Sequence, residues 1–515
     1  MPRPLRQRRT RIATAVALAA SVALLAGCAP ASDGASAATD DASITLALSN
    51  TPASFDTSNI SQSPDSLIWT GLYDRLLRID ENGKYVPNAA ESWSYSGDLK
   101  TLTLTLRDDL AFADGTAIDA ETVVANLEYV KATPGQAQGG TASISSVEAP
   151  DAKTVVITLT QADPLLIDSL ATYLGTISDP TALGDPGNAT NPLSSGPYTL
   201  DETATVSGSV YVLQRRDDYW DVDNYPYSTL TIKALPDQQA LFNAMQSGQI
   251  DATYVPSGQV DPFKTDDYTI TPVAGIGVGG ILIADLEGEL VPALADERVR
   301  QAINFAFDRE AIVEKIYKGA GEPAFQQVYD GVVGHDAALD EIYSYDPEKA
   351  KDLMAEAGYA DGFTVTMPST FLSQLIDPTI VDQLGAIGIT VELEQIQPQD
   401  LGSVWASKKF AMGYWADGAS NAARTFLPRL QAIGNFNPWN NTIPEAEALL
   451  ADAALASTEE DIAAGWTAVN SYSVEHALSA PIAFNTATLV TNSDIAYLGT
   501  VPPQINTIRL YTPAD

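Results

Sequence analysis

One short segment of the sequence combines side chains that suit a pocket for a small cationic ligand. Tyr414 and Trp415 come just before Asp417 and Gly418, at the end of the run 409–418. Aromatic rings offer apolar contact area and attract cations, and a carboxylate accepts charge-assisted hydrogen bonds from an ammonium group. The same pattern also fits a core strand followed by a surface acid. The residue types alone therefore leave a ligand site and a structural strand both open.

The motifs of common catalytic and nucleotide-binding sites are missing from the sequence. No G-x-S-x-G, H-E-x-x-H or P-loop occurs, and His335 and His476 lack the spacing of metal ligands. Residues 275–280 match G-x-G-x-x-G, but the next residues, 281–285, are strand-like, whereas the nucleotide motif must open a helix. We interpret this stretch as a flexible crossing between lobes. A secreted glycosidase or peptidase stays open, because two paired carboxylates among the 66 acidic residues need no fixed spacing.

The N-terminus has the pattern of a lipoprotein export signal. Five arginines, at positions 3, 6, 8, 9 and 11, precede an apolar run of 14 residues at 12–25. A membrane-spanning helix needs about 20 apolar residues, so the run indicates a cleaved signal rather than an anchor. Small residues at 26 and 27 lead into Cys28. We predict a signal peptide at 1–27 and a lipid on Cys28 that holds the chain on the outer face of the cytoplasmic membrane.

Two alternatives at the N-terminus stay open. The cysteine could be incidental to an ordinary secretory signal, and the adjacent Arg8 and Arg9 leave both the general and the twin-arginine export route possible. Cys28 is the only cysteine in 515 residues, which excludes an intramolecular disulfide and any Cys-based zinc site.

Composition predicts a large acidic body behind a short tether. Residues 28–43 are rich in Ala, Ser and Asp without bulky apolar side chains after Cys28, so we expect a flexible tether. With 45% hydrophobic residues, the remaining chain can bury large cores and should divide into two or three lobes. The net charge of −38 disfavours nucleic acid as a partner and makes attachment to an anionic membrane depend on the lipid.

Strand and helix patterns interleave along this body. Alternating apolar residues at 100–107 and 154–160 predict half-buried strands. Helices are predicted from Asp296 to a stop at Gly319, from Asp346 to Gly358, and over 378–386, the last leading into a strand at 389–396. A helix followed promptly by a strand indicates an α/β lobe.

From residue 51 to 490, the order of motifs resembles family 5 extracellular solute-binding proteins of ATP-binding-cassette importers, the peptide and nickel receptor type. The motifs are PASFD (52–56), GLYDRL (71–76), PNAAESW (87–93), LRDDLAFADGT (106–116), AETV (120–123), SGPY (195–198), DYW (218–220), SGQID (247–251), RVRQAIN (298–304) and AEAGY (355–359). The resemblance implies an α/β, two-lobed fold of the periplasmic-binding-protein type, class II, with an extra subdomain in the first lobe.

The resemblance also implies a division of the chain into lobes. Lobe I would comprise 44–65, 191–275 and 488–515, with the subdomain at 66–190, and lobe II would comprise 276–487. The chain would cross between lobes near 274–280 and 487–492.

Site residues follow from the same resemblance. In peptide-binding relatives, the acid of a tryptophan-x-acid motif holds the α-amino group of the peptide, which points to Asp417 with Trp415 beside the ligand. Relatives often continue with Asp-Pro, where this chain has Gly418 to Asn421, and often have asparagine near the position of Asp285. Loops carrying Phe55, Ser195 and Gly196 line the cleft in relatives. The predicted ligand-binding set is Asp417, Trp415, Tyr414, Phe55, Ser195, Gly196, Asp285 and Trp405.

The implied function is capture of a solute without a chemical step. The ligand would be buried between the lobes by hinged closure, and the monomeric receptor would deliver it to an ABC permease, with no cofactor. We favour an oligopeptide or dipeptide ligand because of Trp415 and Asp417. An oligosaccharide bound on Trp405, Tyr414, Trp415 and Trp439 is the alternative within the family. Direct coordination of nickel is not expected from two histidines.

Replacing Cys28 tests the predicted anchor. The Cys28→Ala protein should be exported but recovered in the soluble extracytoplasmic fraction instead of with membranes, because it has no thiol for the acyl group. Metabolic labelling with radioactive palmitate and fractionation measure both properties. Membrane attachment of the variant equal to that of the wild type would contradict the lipid anchor.

Overall fold

Local sequence signals start most of the long helices. Asp296 accepts a hydrogen bond from the amide of Arg298 and Asp346 from that of Lys349, so both predicted N-caps are confirmed. Asp119 and Asp237 cap two further helices in the same way. Side-chain carboxylates thus satisfy amides that the first turn of a helix leaves unpaired.

The computed structural model describes residues 42–48, 51–61, 65–81, 83–163, 165–256, 259–370, 373–397, 400–418, 421–431, 436–456, 458–499 and 506–514. The predicted signal peptide, Cys28 and most of the predicted tether lie outside these residues. Within the described ranges, no helix combines the length and the apolar character needed to cross a membrane.

The described helices and strands alternate along the chain. The strands are β1 Ser43–Leu48, β2 Leu77–Ile79, β3 Tyr85–Pro87, β4 Ala90–Tyr95, β5 Thr101–Leu106, β6 Ile144–Glu148, β7 Thr154–Leu159, β8 Tyr198–Leu200, β9 Val210–Arg215, β10 Thr229–Ala234, β11 Ala252–Pro256, β12 Tyr268–Ile283, β13 Gly321–Pro323, β14 Phe363–Ser369, β15 Ile389–Gln395, β16 Met412–Asp417, β17 Ser479–Asn492, β18 Ile495–Tyr497 and β19 Tyr511–Pro513. The α-helices are α1 Ser66–Leu72, α2 Ala120–Ala132, α3 Leu166–Ala171, α4 Gln238–Gln246, α5 Glu297–Phe305, α6 Arg309–Ala311, α7 Pro347–Glu356, α8 Asp377–Ala386, α9 Leu401–Ala406, α10 Ala422–Leu430, α11 Pro444–Leu455 and α12 Glu459–Glu475. The strands predicted at 100–107, 154–160 and 389–396 are confirmed as β5, β7 and β15.

Two long antiparallel strands run through both halves of the molecule. β12 and β17 pair from Tyr268 opposite Asn492 to Leu282 opposite Ser479. Between Val273 and Gly277 the register shifts, with four steps along β12 against two along β17. They belong to a nine-stranded sheet of order β16-β12-β17-β11-β1-β10-β9-β8, with β13 on β17. The shift falls within the stretch predicted as the first crossing between lobes.

Three large apolar cores surround this sheet. The lobe I core contains β1, β9 and β10, with Ile44, Leu213 and Leu230 among its buried residues. The subdomain core lies between the antiparallel sheet β4-β5-β7-β6 and helices α2 and α3. The lobe II core packs α5, α7 and α8 against the parallel pair β14–β15. A second apolar cluster in lobe II joins helices α10, α11 and α12 and is called here the α10–α12 cluster.

Helix α1 packs differently from the predicted domain division. The prediction starts the subdomain at residue 66, but Leu67, Ile68, Trp69 and Leu72 of α1 are buried in the lobe I core. Every residue of α1 is buried, since the helix lies against β8 and β9. We therefore propose that the subdomain starts after α1, and all the lobe boundaries stay predictions.

The helix predicted from Asp296 to Gly319 is two elements with a break between them. α5 ends at Phe305, and Asp308 then accepts the amide of Ala311 at 2.9 Å to start α6. α6 continues into a π-helical turn, Ile312–Ile316. The Arg309 side chain donates to the Asn304 carbonyl at 2.9 Å. It thereby takes an acceptor that a continuing helix would have offered to a backbone amide.

Arg309 is a buried cation held by carbonyl oxygens. It is 2% exposed, and its Nε donates to the carbonyls of Ala324 at 2.9 Å and Pro481 at 2.8 Å. Its Nη1 also donates to the Tyr343 carbonyl at 3.3 Å. Burial lowers the pKa of Arg309 to about 9. The guanidinium thus connects the end of α5 to β17 and to Ala324 just after β13, because its rigid fork of donors reaches several carbonyls at once.

Arg309→Met should destabilise lobe II strongly. Several buried carbonyls would lose their donors, at about 1–3 kcal/mol each, so we expect a loss of about 3 kcal/mol or more in the free energy of unfolding. Urea denaturation followed by tryptophan fluorescence measures this loss. Arg298→Met is the matched control, because Arg298 is more exposed and pairs with Asp296 at the surface, where about 0–1 kcal/mol is expected. Equal effects of the two substitutions would contradict the role of Arg309.

Candidate functional site

Strand β16 carries the predicted aromatic residues and acid at the edge of the long sheet. It pairs with β12, with Tyr414 opposite Ile281, Trp415 opposite Gly280 and Asp417 opposite Val278. Gly279 leaves room for the ring of Tyr414, since a Cβ at Gly279 would lie 2.0 Å from the Tyr414 hydroxyl. The glycine-rich part of β12 is therefore a strand whose missing side chains let β16 lie beside it.

Tyr414 belongs to the interior of lobe II. It is buried in the lobe II core, and its hydroxyl lies 3.1 Å from that of Tyr317. Burial raises the pKa of the Tyr414 hydroxyl, with the neighbouring Tyr317 as the second cause. The hydroxyl pair fixes the ring on the core side of the strand, so the contacts of Tyr414 are structural.

Trp415 lies in a group of five aromatic residues. This aromatic cluster consists of Trp405, Phe410, Trp415, Phe436 and Trp439. The ring centroids of Trp405 and Trp415 are 5.9 Å apart and those of Trp415 and Phe436 are 4.9 Å apart. Trp405 and Trp439 are buried, whereas Trp415 is only half-buried. Trp415 is therefore the member of the predicted aromatic set that offers surface to a ligand, with Trp405 behind it.

The backbone of Asp417 ends β16, while its side chain lies outside the described part of the chain. Helix α10 begins soon afterwards, with Asn421 as its N-cap. The Thr425 hydroxyl donates to the Gly418 carbonyl at 3.4 Å, which holds the first turn of α10 beside the end of β16. Asp417 and Trp415 are thus two residues apart on one strand that leads directly into α10.

Asp285 is buried and satisfies backbone amides. It is 0% exposed, and its carboxylate accepts hydrogen bonds from the amides of Glu289, Leu290 and Val291, each at 2.8 Å. A carboxylate with three amide donors is well solvated by the protein itself. The described contacts of Asp285 hold the loop after β12, rather than facing an open cleft.

Ser195 and Gly196 lie at the junction between the lobe I core and the subdomain. The Ser195 hydroxyl donates to the Ile177 carbonyl at 2.5 Å and accepts from the amide of Asp74 at 2.9 Å. A Cβ at Gly196 would lie 2.7 Å from the carbonyl oxygen of Gly71, so only glycine fits there. Both residues therefore join backbone segments in the interior.

Phe55 is likewise part of the lobe I core. It is 3% exposed, and its ring meets that of Tyr211 edge-on at 6.0 Å. Its carbonyl accepts a hydrogen bond from the Tyr73 hydroxyl at 2.8 Å. The structure thus separates the predicted set: Trp415 and the backbone of Asp417 lie on one strand of lobe II, while Phe55, Ser195 and Gly196 are buried in lobe I.

A group of four polar residues escaped the sequence prediction. Arg424 of α10 contacts Asp168 of α3, and Asn421 contacts Tyr85 of β3. The N-cap position of Asn421 is a local signal, but nothing in the sequence pairs residues more than 250 positions apart. Two of its members, Asn421 and Arg424, lie at the start of α10, which Thr425 joins to Gly418 at the end of β16.

The two histidines contact acidic residues that belong neither to β16 nor to α10. His335 lies 3.5 Å from Asp340, and His476 Nδ1 lies 2.7 Å from Glu297. Within the described ranges, no group of three or more His, Cys, Asp or Glu side chains could hold a metal ion.

Comparison with known proteins shows what the chain is similar to. The glutathione-binding protein GsiB of Shigella flexneri is 27% identical over 394 residues, which cover 73% of this chain and 72% of that protein. HbpA2 from Haemophilus parasuis matches with a TM-score of 0.80 at 21% identity, over 92% of this chain and 100% of that one. The dipeptide-binding protein from Pseudoalteromonas sp. SM9913, in complex with Met-Leu, matches with a TM-score of 0.73 at 20% identity, over 92% and 100%.

The structural likenesses confirm the predicted mixed α/β fold with two lobes. The family model for the middle region of bacterial extracellular solute-binding proteins, family 5, matches residues 84–476. Since that match covers well over half of the sequence, the chain belongs to the family 5 bacterial extracellular solute-binding proteins.

Proposed function

We propose that this protein is an exported, lipid-anchored receptor that captures short peptides between its lobes and delivers them to an ABC permease. The observation that carries the proposal is the position of Trp415 and Asp417 on β16, beside the strand β12 that crosses between the lobes. A ligand held there would contact lobe II next to the hinge. Family membership supports the capture of a small solute without a chemical step.

The pairing of β12 with β17 supports hinged closure. Two strands connect the lobes, and the register shift at Val273–Gly277 interrupts their ladder between the lobe I and lobe II halves. A bulge bends a strand locally and leaves backbone groups outside the regular ladder. Such a connection allows the lobes to rotate while each half keeps its own core.

We propose a narrower ligand-contact set than the sequence predicts. Trp415 would lie against the ligand because it is half-buried and stands two residues before Asp417 on β16, and Asp417 would accept the ammonium group of the ligand. Tyr414 and Trp405 would support these two from behind. Phe55, Ser195, Gly196 and Asp285 would shape the framework, since their described contacts are internal.

The names of similar proteins favour a small peptide. GsiB is named for glutathione, and the Pseudoalteromonas protein was solved with the dipeptide Met-Leu. Both ligands carry a free ammonium group that an aspartate can hold. We therefore propose di- and tripeptides with a free amino end as the first ligands to examine.

An oligosaccharide remains the second candidate because five aromatic residues cluster beside β16. Sugars stack on exposed ring faces. Here Trp405 and Trp439 are buried, and the ring of Phe436 meets that of Trp415 edge-on, with an angle of 65° between the ring planes. This packing leaves less open platform than a sugar site would use, which favours the peptide. A thermal-shift screen with cello-oligosaccharides beside peptides separates the two, since a ligand at 100 times its Kd stabilises by about 2.7 kcal/mol.

Asp417→Ala should weaken peptide binding by about 2–5 kcal/mol, because the ligand ammonium would lose its charged partner in the closed cleft. Isothermal titration calorimetry with Met-Leu and with reduced glutathione measures the change. N-acetyl-Met-Leu, which lacks the ammonium group, should bind both proteins about equally weakly.

Asp382→Ala is the matched control for Asp417→Ala. Asp382 is an exposed acid of α8 in lobe II, so its removal changes the net charge equally without touching β16. We expect unchanged affinity for this control. Unchanged affinity of Asp417→Ala for a peptide that the wild type binds would refute the role of Asp417, whereas no binding of any peptide by the wild type would refute the ligand class.

Asp285→Ala separates a framework role from a ligand role. Three backbone amides would lose a charged acceptor, so the free energy of unfolding should fall by about 3 kcal/mol or more. Glu287→Ala, an exposed acid in the same loop, should change it by about 0.5 kcal/mol or less. Urea denaturation measures both. A stable Asp285→Ala protein with lost peptide affinity would instead place Asp285 on the cleft floor.

A further inference from the structure

A partly buried ion pair joins the subdomain to lobe II. Arg424 Nε donates to Asp168 Oδ2 at 2.7 Å, and Nη2 contacts the same oxygen. Asp168 lies on α3, which packs in the subdomain core through Leu166 and Leu170. Arg424 lies on α10, whose Phe426 packs in the α10–α12 cluster. The pair therefore connects two separate cores that the chain joins covalently only through the strands of the long sheet.

Two further side chains close this contact into a ring. The Tyr85 hydroxyl donates to Asp168 Oδ1 at 3.0 Å and accepts from Asn421 Nδ2 at 3.1 Å. Asn421 Oδ1 in turn accepts the amide of Arg424 at 3.1 Å. We call Tyr85, Asp168, Asn421 and Arg424 the interlobe ring. Leu165, just before α3, also packs against the α10–α12 cluster, so the polar ring has an apolar contact beside it.

The two charged members of the ring differ in exposure. The Asp168 side chain is 1% exposed and the Arg424 side chain is 32% exposed. Because the Arg424 guanidinium contacts Asp168 from lobe II, separation of the lobes would remove this contact and give the carboxylate more access to water. Burial and the neighbouring Asp168 carboxylate raise the pKa of Tyr85 well above its usual value, so its hydroxyl remains a donor at neutral pH. All the hydrogen-bonding groups of Asp168 therefore have partners in the joined arrangement.

We propose that the interlobe ring is a latch that stabilises the closed arrangement of the lobes, with Asp168 and Arg424 as positioning residues for ligand capture. The ring lies where closure matters for the site, because Thr425 of α10 bonds to Gly418 at the end of β16. The contact between α3 and α10 would hold the end of β16, with the Asp417 backbone, against the subdomain. This inference requires a two-lobed binding protein and is independent of which solute it binds.

The energetics of the pair suit a latch that can reopen. The attraction between the buried Asp168 carboxylate and the partly exposed Arg424 guanidinium is largely offset by the cost of removing them from water, so the intact pair has a small net effect. Removing one partner has a large effect, because the other charge stays buried and unpaired in the closed state. A bound ligand then needs only a moderately higher affinity for the closed than for the open arrangement to shift the population toward the closed one.

Distances between the lobes of the ligand-free protein test the latch. Glu121→Cys on α2 and Asp452→Cys on α11, both exposed positions, carry spin labels in the full chain with Cys28→Ala. Double electron–electron resonance then gives the populations of short and long distances. Arg424→Met should reduce the ratio of short to long distances by about tenfold, which corresponds to about 1.4 kcal/mol. Asp168→Asn combined with Arg424→Met should recover part of that ratio, because no buried charge is left unpaired.

Three comparisons decide the outcome. Lys351→Ala removes a positive charge from an exposed pair within α7 and should leave the distances unchanged. Raising the salt concentration should lower the short-distance fraction in the wild type but not in the double variant. An unchanged distribution in Arg424→Met, even with a lower unfolding midpoint, overturns the latch. Asp168→Asn is also measured alone. Strictly additive effects of Asp168→Asn and Arg424→Met in the double variant overturn the pairing of Asp168 with Arg424.

Discussion

The pairing of β12 with β17 is the constraint on which the other features depend. Both strands are long enough to contribute to the lobe I core at one end and the lobe II core at the other, since Val273 and Leu489 lie in the first and Ile281 and Ile482 in the second. A continuous hydrogen-bonded ladder would make the two lobes one stiff body. The register shift between Val273 and Gly277 interrupts it between these two ends, and a second shift follows between Gly279 and Gly280. Each lobe therefore keeps its own packed interior while the connection between them can bend.

Buried polar side chains in this protein divide into two kinds. Asp285, Ser195 and Arg309 each satisfy several backbone groups within one lobe or at one junction, and their partners stay in place whatever the lobes do. Asp168 and Arg424 satisfy each other across the two lobes. The first kind stabilises the fold at a fixed cost of desolvation. The second kind exchanges protein partners for water when the lobes separate, so it biases a conformational equilibrium instead.

Sequence reasoning succeeded where the determining forces are local. The N-caps Asp296 and Asp346 and the strands β5 and β7 follow from capping chemistry and from alternation within a few residues. It failed at the break after α5, because the guanidinium of Arg309 reaches carbonyls on distant strands. In the candidate site, the order Tyr414, Trp415, Asp417 predicted a strand, but not which of its faces the lobe II core would cover. Partners as distant as Asp168 and Arg424 leave no periodic signal.

The position of the acid at the end of β16 explains why a ligand site and a lobe contact should be neighbours. A strand that ends beside the hinge moves little when the lobes rotate, so a ligand held there keeps its place during closure. The helix that follows, α10, extends from that fixed point toward the subdomain and carries Arg424 to Asp168. In the proposed latch, a small rotation about the hinge would make or break the ion pair between these two residues. The proposed ligand contact beside the hinge and the proposed latch beyond it would both follow from the closeness of β16 and α10 along the chain.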